Sequence, residues 1–215
     1  MEIPILIQHF NDEMSLIDAH VSKVDEIHFF KNENNEKWSI AENLHHLSLS
    51  LLPINNLFKQ PELMLERWGH SNRKSRDFNT FLEDYKKAVA NADWKAFPPF
   101  IPKSKNETDN YLKQHSTTTQ SKLNEFYQYT GDQIKVLREK TQLDNNSTKS
   151  DVMNLFLTQY KTFFLLFEQL SEIQMDDCQI PLPYLGLITC KEMMYFTYNH
   201  TKVHRLAVER IFFSN

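Results

Sequence analysis

The sequence predicts an all-α protein, a bundle of four core helices with an added helix and a long irregular connector. Three observations carry that expectation. Only three glycines occur in 215 residues, whereas a sheet protein uses glycine freely in its tight turns. Apolar residues recur at intervals of three and four over most of the chain, the period of one helix face. The alternation of apolar and polar side chains that marks a half-buried strand is essentially absent.

The elements follow in chain order. Residues 3–30 place Ile7, Phe10, Met14, Ile17, Val21, Val24 and Ile27 on one stripe, so they read as one helix that the Asn/Glu cluster between Lys31 and Lys37 ends. Ser39 opens the second helix as N-cap, and Glu42 three residues later completes a capping-box pattern. That helix runs through Leu44, Leu47, Leu51, Ile54 and Leu57. Pro53 should kink or break it, because proline lacks the backbone donor and crowds the preceding turn. A short helix is expected over Thr80 to Ala90, followed by an extended connector, Phe97 to Pro102, which holds three prolines in six residues. Helical periodicity returns from about Asn110 to Lys140 and again from Lys149 to Ile173. Pro181, Pro183 and Gly186 mark a tight loop. Thr189 then caps a last helix carrying Met193, Phe196, His200, Val203, Ala207 and Ile211 on one stripe, opposite a solvated face of Lys202, Arg205 and Glu209.

A chain of this length is expected to form a single domain over 1–215. Its 40% hydrophobic and 13% aromatic content is that of a globular protein with an aromatic interior. A net charge of −4 provides no broad basic field for binding nucleic acid through counterion release, so no nucleic-acid partner is expected. The N-terminal stretch MEIPILIQHFNDEM has no basic region leading into a long apolar one, and the densest apolar run, Phe163 to Phe167, is too short to span a bilayer. A cytoplasmic protein without a membrane partner is the expectation. Cys178 and Cys190 are the only thiols and form no CxxC pair, which fits a reducing compartment.

Nine histidines stand in the chain, and two of them share a helix face. His200 and His204 are four residues apart, about 40° around an α-helix and about 6 Å along it. Both fall within the apolar stripe of the last helix. Two stacked imidazoles facing a core need polar partners, and a shared cation is an economical one. On the second helix, His45 and His46 lie in a segment that is apolar nearly all round, so phase does not choose between them. Glu42 and His45 also form an ExxH pair, the half-site of a di-iron bundle, but the sequence holds no second ExxH. His9, His20, His28, His70 and His115 have no partner at ligand spacing.

Two stretches resemble the DinB/YfiT-like family of metal-binding four-helix bundles. Trp38-Ser39-Ile40-Ala41-Glu42-Asn43-Leu44-His45-His46-Leu47 resembles its W-S-x-x-E-x-L-x-H-L element, and this alignment selects His46 over His45. Pro181 to Thr189, then Glu192-Met193, His200 and His204, resembles its P-x-x-G-x-x-T-x-x-E-M element running into H-x-x-x-H. The matches are confined to residues 38–47 and 181–212, and no motif anchors 70–145. The resemblance implies a metal site of His46, His200 and His204 for one divalent ion such as Zn²⁺ or Ni²⁺, and a homodimer.

Three neutral histidines leave a coordination position open, the arrangement of a catalytic rather than a closed structural site. The resemblance implies two enzymatic outcomes with a small-molecule substrate. One is thiol transfer, in which a low-molecular-weight thiol bound as thiolate attacks an electrophile. The other is hydrolysis by metal-bound hydroxide. Thiol transfer is favoured because the sequence shows no general base like the Glu of HExxH. Glu42, one turn from His46, is a candidate for that role, although the helix cap already explains it. A non-catalytic binding or sensor module stabilised by the metal is the third reading. The connector from Phe97 to Pro102 is a candidate cover for the mouth of the bundle.

Overall fold

The computed structural model describes residues 2–32, 37–91, 146–182 and 185–214. The expected connector and the helix expected over Asn110 to Lys140 lie outside them. The described residues form eight helices and one two-stranded sheet: α1 (Ile3–Val21), α2 (Glu26–Phe30), α3 (Ile40–Phe58), α4 (Pro61–Trp68), α5 (Phe78–Asn91), α6 (Lys149–Gln169), α7 (Glu172–Asp177), β1 (Gln179–Leu182), β2 (Gly186–Thr189) and α8 (Cys190–Ser214). None of these helices is long and apolar enough to cross a membrane.

The four longest of them, α1, α3, α6 and α8, enclose an aromatic core. α3 packs chiefly on α6, while α8 packs on α1, α3 and α5. Phe10 of α1, Phe58 of α3 and Tyr160, Phe163 and Phe167 of α6 are all buried. Their rings meet at 5.6 Å for Phe58 and Phe163 and at 6.3 Å for Phe10 and Tyr160, separations at which aromatic pairs attract beyond their area burial.

The first departure from the periodicity lies at 22–25. The stripe predicts one helix to residue 30, but α1 stops at Val21 and Asp25 starts α2 by accepting from the His28 N–H at 2.8 Å. Ile27, counted on the stripe, is consequently 78% exposed, and Phe29 is buried in its place. A side chain that caps a new helix competes with continuation of the old one. The same device divides the segment from Lys149, where α6 ends at Gln169 and Ser171 forms a capping box with Gln174 to begin α7.

At Pro53 the expected break does not occur. α3 continues from Ile40 to Phe58 with Pro53 buried inside it. Residues flanking the proline, among them Leu51, Leu52 and Ile54, are buried too, so packing on both sides opposes the interruption. The loop expected at Pro181 to Gly186 is a β-hairpin, with Gln179 paired to Thr189 and Leu182 to Gly186 in antiparallel register. Gly186 takes φ +71° at its closing end, a conformation that favours glycine. Four-residue strands are too short for an alternating pattern to declare itself.

The hairpin is fastened to α4, α7 and α8. The Gln179 side-chain amide donates to the carbonyls of Trp68 and His70 at 2.9 and 3.1 Å, taking up the orphan acceptors at the end of α4. Cys190 N–H donates to Cys178 O at 3.0 Å, and both cysteines are buried free thiols. Thr189 and Glu192 cap α8 reciprocally: Thr189 Oγ1 accepts from the Glu192 N–H at 3.2 Å, and Glu192 Oε2 accepts from the Thr189 N–H at 3.1 Å.

Candidate metal centre

Two helices deliver the histidines, and each has a defined start. On α3 the capping box forms as the sequence indicates, with Ser39 Oγ accepting from Glu42 N–H at 3.2 Å and Glu42 Oε2 accepting from Ser39 N–H at 2.8 Å. His46 lies less than two turns beyond the cap. On α8 the Thr189–Glu192 cap fixes the helix that carries His200 and His204.

The three side chains converge. One ring nitrogen from each of His46, His200 and His204 lies within 4.8 Å of the others, with His46 buried and the other two half-buried. His46 Nε2 and His200 Nε2 stand 3.1 Å apart. Two nitrogens bound tetrahedrally to one zinc at about 2.0–2.1 Å are about 3.3 Å apart. The His46–His200 pair therefore fits a single ion of that size, with the His204 nitrogen within 4.8 Å of both. His45 is buried on α3 but does not belong to the group, so the fold selects between the two adjacent histidines where helical phase does not.

Burial pushes the His200 and His204 imidazoles well below their usual range, and the neighbouring His46 adds to the shift. Both rings are neutral at pH 7, the form that ligates a metal. Aromatic faces flank them. Trp38 lies nearly parallel to His204, 16° between planes at 5.9 Å, and 4.8 Å from His46; Phe196 stacks on His200 at 5.3 Å. His204 Nδ1 lies 2.8 Å from Asn43 Oδ1. Of these neighbours, Phe196 was legible as part of the apolar stripe and Trp38 as part of the motif, but nothing in the spacing singles out Asn43.

Glu42 is buried and its Oε2 accepts from Asn32 Nδ2 at 2.5 Å as well as from the Ser39 N–H. The cap accounts for that oxygen. The phase of α8 also needs correcting. Val203 is 51% exposed, and the fully covered line runs through Thr197, Thr201 and Val208, with His200 and His204 at its edge. The two threonines bury well because their hydroxyls donate to the carbonyls of Met193 and Thr197, both at 2.8 Å. Arg205, expected on the solvated face, is folded inward, with Nε donating to Glu13 Oε2 of α1 at 2.7 Å.

A second polar centre sits at the first turn of α8; its carboxylate, Glu192, stands in the motif, but nothing in the sequence pattern singles out its arginine partners. Glu192 is fully buried. Arg73 grips both its oxygens at 2.6 and 2.7 Å, and Arg76 donates to them through Nε at 2.9 Å, Nη2 at 3.1 Å and its backbone N–H at 2.7 Å. Burial alone would raise this carboxyl, but the hydrogen bonds from Arg73, Arg76 and Thr189 outweigh it and hold Glu192 at about 2. Arg73 and Arg76 thus anchor the segment before α5 to the first turn of α8.

Three comparisons with known proteins leave the chain without a neighbour: no family model matches it, and no curated protein or solved structure is significantly similar to it.

Proposed function

We propose that this chain is a metal-dependent thiol transferase of the DinB-like kind, holding one divalent ion, zinc or nickel, through His46, His200 and His204. The observation that carries the reading is the composition of the cluster: three imidazoles within 4.8 Å and no carboxylate among them. Such a group leaves an ion a free position, and among the described residues it includes no carboxylate to act as a base for water. When bound, the metal lowers the pKa of a thiol or water brought to it. A thiol needs no further help, because its own thiolate is a competent nucleophile once ionised. The chain's contribution is to keep His200 and His204 neutral by burial and to fix the ring planes with Trp38 and Phe196. Partial exposure of His200 and His204 provides access for a small substrate.

The test is turnover. Protein loaded with zinc or nickel is offered low-molecular-weight thiols with an electrophile and, separately, activated esters. Metal-dependent thiol consumption that His200→Ala abolishes, with helicity retained, supports the reading. Ester hydrolysis without thiol transfer favours the hydrolase instead. Metal binding with neither reaction leaves a metal-stabilised binding module.

A further inference from the structure

We propose that Asn43 is a positioning residue for this cluster: its amide, locked by backbone carbonyls at the start of α3, holds His204 in the tautomer protonated on Nδ1 and so leaves Nε2 bare for a metal. The role in metal binding rests on the site reading above; the tautomer does not.

The orientation of an amide is set by its surroundings. Asn43 Nδ2 is 2.8 Å from the Ser39 carbonyl oxygen and 3.4 Å from that of Trp38. Both are acceptors only, so the NH₂ end must face them. The oxygen end then faces His204 Nδ1 at 2.8 Å. An amide oxygen cannot donate, so the proton between them belongs to Nδ1. In a neutral ring the lone pair available to an ion is then on Nε2. Asn43 is 4% exposed, which keeps water from taking over as the partner. Trp38, stacked nearly parallel to the ring, limits its rotation. The sequence relationship is simple: Ser39 and Asn43 are i and i+4 on one helix, and the amide carries the rigidity of the helix start across to α8.

Two substitutions separate this role from support of the helix start. Asn43→Leu removes both donor and acceptor, whereas Asn43→Asp removes the donors but keeps an acceptor for Nδ1–H. Cobalt(II) affinity is measured by competition titration and the d–d spectrum, and the ring ¹⁵N shifts of His204 are recorded on the metal-free protein. The expected results are a Leu variant that binds cobalt(II) about 10–100-fold more weakly, an Asp variant within a few-fold of wild type, and Nδ1–H in wild-type His204. Equal loss in both variants, no loss in the Leu variant, or a wild-type His204 protonated on Nε2 overturns the proposal. If wild-type protein binds no cobalt(II), the metal reading and the role of Asn43 in it both fall, while the ¹⁵N spectrum still decides the tautomer. That spectrum needs no variant, so misfolding of either substitution does not obscure the answer.

Discussion

His46 Nε2 and His200 Nε2 face each other at 3.1 Å although 154 residues separate them in the chain. At most one proton can lie between two neutral imidazole nitrogens at that distance, and an ion of zinc's size can replace it. A ligand that binds only the folded state stabilises it by mass action, about 2.7 kcal/mol at one hundred times its Kd. For a domain of this size that corresponds to a rise in Tm of roughly 5–10 °C. Differential scanning calorimetry with free zinc or nickel buffered above Kd should show that rise in the wild type. His46→Ala and His200→Ala should abolish it, and His45→Ala should not. An equal rise in all four proteins would mean that the ion binds elsewhere.

Glu192 makes a separate prediction through pH. Its carboxyl is held at about 2 in the folded protein against an ordinary 4.5, so the unfolded chain binds a proton that the native state refuses. The contribution is complete above about pH 5, declines as pH falls below 4.5 and is gone once pH passes about 2. Its size from this shift is about 3 kcal/mol. Glu192→Gln keeps the shape but loses the charge that Arg73 and Arg76 grip. Urea midpoints should therefore differ widely between variant and wild type at pH 7 and converge toward pH 3. Parallel curves over that range would show that the carboxylate contributes through packing alone.

What the sequence discloses follows from how local each cause is. Helix starts set by a side chain and a backbone N–H three residues on, such as Ser39 with Glu42 and Thr189 with Glu192, are written within four residues and are legible. The pairing of His200 with His204 is equally local. Selection of His46 over His45 is not legible in helical phase, because both lie on a stretch of α3 that is apolar nearly all round; the motif resemblance points to His46, and the approach of α8 groups that residue with His200 and His204. Asn43 is hidden for the same reason, since its partner is 161 residues away. Arg73 and Arg76 stand in a segment without periodicity, and their meaning depends on a carboxylate that the fold buries beside them. The inward turn of Arg205 depends likewise on Glu13 of another helix. The break after Val21 was legible in principle from Asp25 and His28, but a continuous apolar stripe masked it.

Tyr160 and Thr201 illustrate an asymmetry that mutation can read. The Thr201 hydroxyl donates to the Thr197 carbonyl at 2.8 Å, and its oxygen lies 2.5 Å from Tyr160 Oη. With one hydrogen already committed, Thr201 accepts and the tyrosine donates. Both side chains are fully covered, and burial raises the Tyr160 hydroxyl far above its usual range. This contact joins α6 to α8 at the residue after His200. Tyr160→Phe removes the donor and leaves Thr201 still bonded to Thr197, so the loss should be about 0.5–1.5 kcal/mol, the net worth of one hydrogen bond. Thr201→Val leaves a buried phenol with its acceptor gone, and stranding a polar group costs about 1–3 kcal/mol. Equilibrium urea unfolding of the metal-free protein should accordingly rank Thr201→Val below Tyr160→Phe, and the double variant should recover part of the difference, because valine and phenylalanine leave nothing unsatisfied. A double variant whose loss is the sum of the two would show that the hydroxyls do not interact.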